Sequence, residues 1–155
     1  MFAAAQQPEY EHTQWAPMYW LLLAPALLML LLAAAFSQQE DVALIMLAAS
    51  AFLACMAYSF RSLRVVDEGD SLAIRYGTLP VFRKRIRYAD IQAATHDRTS
   101  VVDGWGIHWV PCRGWTFNLW GFDCTRLILT SGRTIRIGTD DPHGLVQFLN
   151  RKLSQ

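Results

Sequence analysis

The densest set of charged side chains in the sequence is Arg83-Lys84-Arg85-Ile86-Arg87. On an extended chain alternate residues share a face, so Arg83, Arg85 and Arg87 form a cationic stripe while Phe82, Ile86 and Tyr88 point the other way. Lys84 falls on the apolar side and has to sit at a sheet edge or snorkel outward. Such a stripe is either a solvated strand face or a surface for anionic lipid headgroups, where each cation near a bilayer contributes roughly 1 kcal/mol. Arg75, the single cation of Leu72-Ala73-Ile74-Arg75-Tyr76, is a fourth candidate for the same surface.

Other residue types invite other chemistry. His108, Cys112 and Cys124, with His96 as a fourth ligand, have the spacing H-x3-C-x11-C without a C-x2-C knuckle, a weak pattern for zinc. Neither an orienting carboxylate nor oxyanion-hole donors flank them, so a Cys–His nucleophilic pair is also disfavoured. Asp97, Asp103 and Asp123 lie beside turns and strand ends, which suits turn chemistry better than paired acid–base work. Gly138-Thr139-Asp140-Asp141 precedes a helical pattern, but two aspartates there would repel a phosphate, so the run reads as a cap. The sequence therefore predicts no catalytic residue, no metal ligand and no cofactor. The segment from Trp105 to Phe122 holds four of the six tryptophans, and its alternating members suit cross-strand packing. Trp120 and Phe122 fall outside that alternation and are candidates to line a pocket or dip into a membrane interface.

The 155 residues that must position these groups are 53% hydrophobic, with a mean hydropathy of +0.17 and a formal charge of +1. That average hides a division. All 14 cationic residues lie from Arg61 onward with nine of the 13 carboxylates, a formal +5, whereas the first 60 residues carry only Glu9, Glu11, Glu40 and Asp41, a formal −4. Apolar content excludes intrinsic disorder. Three cysteines cannot pair completely, which excludes a disulfide-stapled miniprotein, and a pI near 7.8 disfavours nucleic acid as a partner.

Residues 16–36 and 42–60 are two uncharged runs, each long enough to span about 30 Å of hydrocarbon, separated by Ser37-Gln38-Gln39-Glu40-Asp41. They predict a two-helix transmembrane hairpin. Tyr19 and Trp20, then Tyr58 and Phe60, stand where an interfacial aromatic belt would lie. Arg61 and Arg64 follow the second run at once, so the positive-inside bias puts residues 1–15 as a tail, and residues 61–155 as a domain, in the cytoplasm. Ala33-Ala34-Ala35 resembles a signal-peptidase site, but no charged n-region precedes it. Small residues of the second run, Ser50 and Ala54 among them, permit close packing on the first run or, alternatively, a homo-oligomer. Neither run contains an ionisable residue for a proton or ion pathway.

After Arg61, short alternating runs separated by turns predict strands at 62–67, 71–76, 81–88 and 91–97. Gly77-Thr78-Leu79-Pro80 is read as a turn, and Asp103-Gly104 opens a hairpin in which Trp109 faces Trp115, Ile107 faces Phe117 and Trp105 faces Leu119. A further hairpin across Ser131-Gly132-Arg133 aligns Leu127 with Ile137 and Leu129 with Ile135. Asp141 as N-cap, Pro142 at the first position and the stripe Leu145, Phe148, Leu149 and Leu153 predict a terminal amphipathic helix, with Arg151 and Lys152 in its last turn. The expected class is a helical hairpin plus α+β, with an antiparallel β-barrel or sandwich of about seven strands closed by the helix.

Two spans, this strand series and the terminal helix, together with Gly104-Trp105-Gly106, Gly114-Trp115-Thr116-Phe117-Asn118 and Arg136-Ile137-Gly138-Thr139-Asp140-Asp141-Pro142, resemble the bacterial pleckstrin-homology-type membrane proteins. The resemblance covers residues 16–155 by layout and implies a PH-like fold that hosts many unrelated roles. Eukaryotic phosphoinositide binders of similar fold carry a basic-x-basic pair on the second strand and a tryptophan in the last helix. Here the strand has only Arg75 and the helix has no tryptophan, so stereospecific phosphoinositide recognition is not implied. The expected function is non-catalytic: a membrane-anchored module that binds anionic headgroups or docks a membrane-associated partner. The alternative is an accessory or assembly factor acting by protein contact alone.

Overall fold

Downstream of Arg61 the alternating runs form eight strands, and the computed structural model, which describes residues 8–78, 81–100 and 103–154, adds a ninth upstream of the helices. In chain order the elements are β1 (Glu11–Trp15), α1 (Trp20–Ala35), α2 (Glu40–Ser59), β2 (Ser62–Asp67), β3 (Ser71–Tyr76), β4 (Arg83–Arg87), β5 (Ile91–Arg98), β6 (Gly106–Val110), β7 (Gly114–Asn118), β8 (Asp123–Leu129), β9 (Thr134–Gly138) and α3 (Pro142–Leu153). The first four strands form an antiparallel sheet in the order β1-β2-β3-β4, and the other five a second sheet in the order β5-β8-β9-β7-β6. Leu63, Ile74 and Tyr76 of the first sheet meet Phe117, Leu127 and Ile137 of the second, and Leu145, Phe148 and Leu149 of α3 seal the same core.

The α+β class stands, with three corrections to the predicted domain. Among the described residues the predicted domain holds eight strands where about seven were expected, β1 adds a ninth from outside it, and the two sheets do not close into a barrel. The second sheet is mixed, because β9 returns from its hairpin with β8 and lies parallel to β7. Local alternation shows strands but not their order, so it could not reveal that insertion.

The predicted tail is partly a strand. β1 pairs with β2, placing Thr13 opposite Arg64 and Trp15 opposite Ser62, and Ala16 N donates to Arg61 O at 3.1 Å to extend the ladder. Glu11-His12-Thr13-Gln14-Trp15 has no apolar alternation, so only pairing to a strand some fifty residues later defines it. Residues 1–7 of that tail, Leu79 and Pro80 of the predicted turn, and Gln155 lie outside the described residues.

The apolar runs become helices of unequal length. Ala16 is buried in the sandwich core and Pro17–Tyr19 is a 3-10 turn, so α1 has 16 residues and is about 24 Å long, shorter than residues 16–36 suggested. Absence of charge cannot separate a buried strand end from a span. α2 has 20 residues, about 30 Å, and among the described residues it alone is long and apolar enough to cross a membrane. The two pack together, with Ser50 Oγ donating to Ala26 O at 2.8 Å, so Ser50 faces its own chain. Glu40 and Asp41 occupy the first turn of α2, where they favour the helix dipole.

The β6–β7 hairpin has the expected register, Ile107 opposite Phe117 and Trp109 opposite Trp115. Its ladder ends at Gly106 and Asn118, and Trp105 turns away from Leu119 to stack on Trp120, ring centroids 5.6 Å apart. In the β8–β9 hairpin the pairing is displaced by two residues: Leu127 faces Ile135 and Thr125 faces Ile137. The loop is Thr130-Ser131-Gly132, closed by Gly132 N to Leu129 O at 2.8 Å with Gly132 at φ +79°. A two-residue slip preserves which face is buried, so the hydrophobic pattern could not distinguish the two registers. α3 starts as predicted, with Asp141 Oδ1 accepting from Gly144 N at 3.0 Å and Pro142 next.

Candidate functional site

The predicted arginines lie on the outer face of the first sheet. Arg83, Arg85 and Arg87 are exposed along β4, and Arg75 is half-buried on β3. Their grouping is set by register across strands as well as spacing along one. Thr13, Arg64, Arg75 and Arg83 form one row across all four strands, so three arginines stand side by side, their Cβ atoms roughly 5 Å apart at each step. Like charges in direct opposition repel, and two carboxylates relieve most of it. Glu11 pairs with Arg64 at 2.8 Å, while Glu68 takes both Arg75 and Arg85, the latter at 2.6 Å. Arg83 has no carboxylate partner among the described residues, and Arg64 Nε is buried without one. An open cleft of about 630 Å³ runs over this face, between Trp15 and Thr13 on one side and Arg83 and Arg85 on the other.

Arg87 belongs to the stripe in space but not in charge. Asp90 holds its guanidinium through two hydrogen bonds, of 3.0 and 3.1 Å. Arg64 is the residue that sequence reasoning missed. Alternation within Ser62–Asp67 puts it on the outer face, but only the β2–β3 register shows that it stands beside Arg75.

The row lies next to the end of the sandwich from which the helices leave. Ser59 closes α2, and Gly77 packs on it so closely that an added Cβ would lie 2.7 Å from Ser59 O; Gly77 also has φ +61°. Phe60 fills the corner, its ring 5.3 Å from those of Tyr76 and Phe82. Arg61 lies over the Trp15 and Tyr19 rings, at 5.2 and 5.7 Å. Trp15, Trp20, Trp105 and Trp120 are all 40–58% exposed. Of the predicted aromatic candidates, Trp120 thus lies in this exposed group. Phe122 is half-buried, and its backbone carbonyl accepts from Thr99 N at 2.7 Å.

The second sheet's outer face carries a buried polar layer. Arg136, only 6% exposed, donates from Nε to Asp97 at 2.9 Å and from Nη1 to Arg113 O, while Arg113 pairs with Asp103 and donates to Arg98 O at 3.1 Å. These bonds clasp Arg98, Asp103 and the β6–β7 loop onto the sheet. Burial alone would raise Asp97 and Asp103, but backbone donors, Arg98 N and Ser100 N, with Arg136 and Arg113 outweigh it and hold both carboxyls below the usual range.

The metal and thiol candidates are dispersed by the same sheet order. His108 on β6 and Cys124 on β8 are separated by β7 and β9, three strand steps or about 14 Å. Cys112 is exposed in the β6–β7 turn, and His96 lies 3.5 Å from Asp123 and beside His143. Burial pushes the Cys124 thiol up to about 12, and Asp97 opposite it adds to the rise, the reverse of nucleophile activation. Among the described residues, no three His, Cys, Asp or Glu side chains are grouped to hold a metal ion. Asp97, Asp103 and Asp123 each pair with a different arginine, the last with Arg98 at 3.3 Å. Asp141 is a cap, and Asp140 bonds His12.

Neither protein-family models nor curated proteins give a match to this chain. Geometry and charge therefore carry the functional reading. A row of one unpaired guanidinium, Arg83, and two partly neutralised ones, Arg64 and Arg75, at a single level of a sheet and flanked by exposed tryptophans has the chemistry to hold phosphate.

Proposed function

We propose that α1 and α2 form a hairpin that anchors the chain in a bacterial inner membrane, and that the PH-like module beside it reads anionic lipid headgroups without catalysis. The observation that carries this reading is the Arg64–Arg75–Arg83 row, two residues along the β1–β2 ladder from Trp15 and Ser62, where the chain enters and leaves the helices. A row across strands lies at one distance from the helix end, so its cations can meet a headgroup layer together. Arg85 and Arg87 stand about 7 and 14 Å farther along β4. Arg61 and the exposed tryptophans supply the interfacial flank, and tethering keeps the local phosphate concentration high. The positive-inside bias puts the module in the cytoplasm. The small net charge of the face suits a surface reader better than a tight stereospecific pocket.

The test uses the full chain in nanodiscs of neutral phosphatidylcholine, with or without phosphatidylglycerol. Hydrogen exchange in β3 and β4 is expected to slow severalfold only with the anionic lipid, and R75E/R83E/R85E is expected to abolish the difference. R87E should change it little, because Asp90 already neutralises that side chain. Equal exchange in the two lipids would overturn the reading.

A further inference from the structure

We infer that the open edge between the two sheets, on the β4 side, is a binding site for a free amphiphilic anion, an apolar chain ending in a carboxylate or phosphate. Trp115 lies in the same row as Ile135 and Leu127, both buried in the core, yet it is 48% exposed. No strand of the first sheet covers it, because that sheet ends at β4. The result is a cleft of about 460 Å³ whose floor is Ile86, Trp115, Phe117, Leu129 and Ile135, a size typical of small-molecule sites.

The rim supplies the charge. Lys84, Arg85 and Arg133 line the cleft with a single carboxylate, Asp90. Asp90 is already held by Arg87, and Arg85 by Glu68. Arg133 bonds Ser131 Oγ at 3.2 Å, and neither it nor Lys84 has an ion-pair partner among the described residues. Two uncompensated cations therefore border an apolar floor. Lys84 explains its own anomaly: in register with buried Ile74, it lies on the core side of an edge strand, where an inward charge also keeps another strand from adding. The ligand is a dissolved amphiphile and not a bilayer lipid, because no residue of α1, α2 or the exposed tryptophan group at the helix end lines this cleft. The groove beside the helices is separate, formed by Tyr19, Leu21, Leu22, Phe60, Trp105 and Ile107 among others.

The experiment is photocrosslinking of the full chain in phosphatidylcholine nanodiscs with a diazirine-bearing dodecanoate, adducts being mapped by mass spectrometry. Adducts are expected on peptides containing Trp115–Phe117 and Leu129–Ile135. Excess dodecanoate or dodecyl phosphate should compete, the stronger of the two identifying the preferred head, whereas dodecanol and inorganic phosphate should not. K84Q/R133Q, two exposed positions, is expected to reduce these adducts by about tenfold or more, since it removes both uncompensated cations and about tenfold is the worth of a single charge-assisted contact, and to leave labelling of α1 and α2 unchanged. Adducts confined to the helices, equal competition by dodecanol, or undiminished labelling of K84Q/R133Q would each overturn the site. The adduct map of the unsubstituted chain decides the matter even if the double variant unfolds, and R75E, on the other face of the sheet, should not affect it.

Discussion

At the scale of single residues, the two cysteines of the sandwich behave oppositely. Cys112 is exposed in a turn at φ +61°, whereas Cys124 is fully buried with its thiol pushed up to about 12. A maleimide at pH 7.5 is expected to modify Cys112 within minutes and to reach Cys124 only after denaturation, as mass spectrometry of tryptic peptides would report. Acid sensitivity has a similarly local origin. Asp67, Asp97 and Asp103 are all held below the usual carboxylate range: burial opposes this, but hydrogen bonds and cations prevail, Tyr88 Oη and Lys152 among them at Asp67. The unfolded chain takes up these protons first, near pH 4. Their stabilisation is thus complete above that pH and is lost as pH falls through the depressed folded values. Denaturant midpoints should be flat from pH 7 to 5 and fall below about 4. D103N, which leaves Arg113 unpaired, should cost about 1–3 kcal/mol at neutral pH and make the acid limb shallower.

Among elements, the junction between α2 and the first sheet is the most exacting. Gly77→Ala would place a methyl against the Ser59 carbonyl at a positive φ, so a loss of about 2 kcal/mol or more is expected in the unfolding free energy of the module. Gly69 has a similar φ of +87° but open space around it, and Gly69→Ala should cost only the backbone strain, about 1 kcal/mol. Much of this level was legible in the sequence. The bounds of β2 and β3, the β6–β7 register and the cap of α3 follow from alternation, turn residues and Asp141-Pro142. β1 was not, because Glu11–Trp15 carries no periodic signal and exists through its partner alone. The candidate site was half legible: the stripe on β4 can be seen in Arg83, Arg85 and Arg87. The row that adds Arg64 and lowers the weight of Arg87 depends on pairing and on Asp90, neither of which is a local property.

For the whole molecule, the helical hairpin is an insertion between two neighbouring strands of one sheet. Ala16 and Arg61 are hydrogen-bonded to each other, so the two ends of the insertion already meet. Replacing residues 20–58 with a short Gly-Ser linker is expected to yield a soluble, cooperatively melting module. A chain starting at Arg61 lacks β1 and exposes the edge of β2, and should melt lower or aggregate. The same layout constrains biosynthesis. β1 leaves the ribosome before both helices and cannot be placed until they and β2 have followed, so this strand waits through the synthesis of the whole hairpin. A hairpin of which only one helix crossed would leave β1 and β2 on opposite sides of the bilayer, and cleavage after Ala35 would remove β1 altogether. If the hairpin inserts as proposed, either error would leave the β2 edge bare for a protease or chaperone to recognise, and the sheet itself would register whether insertion went to completion.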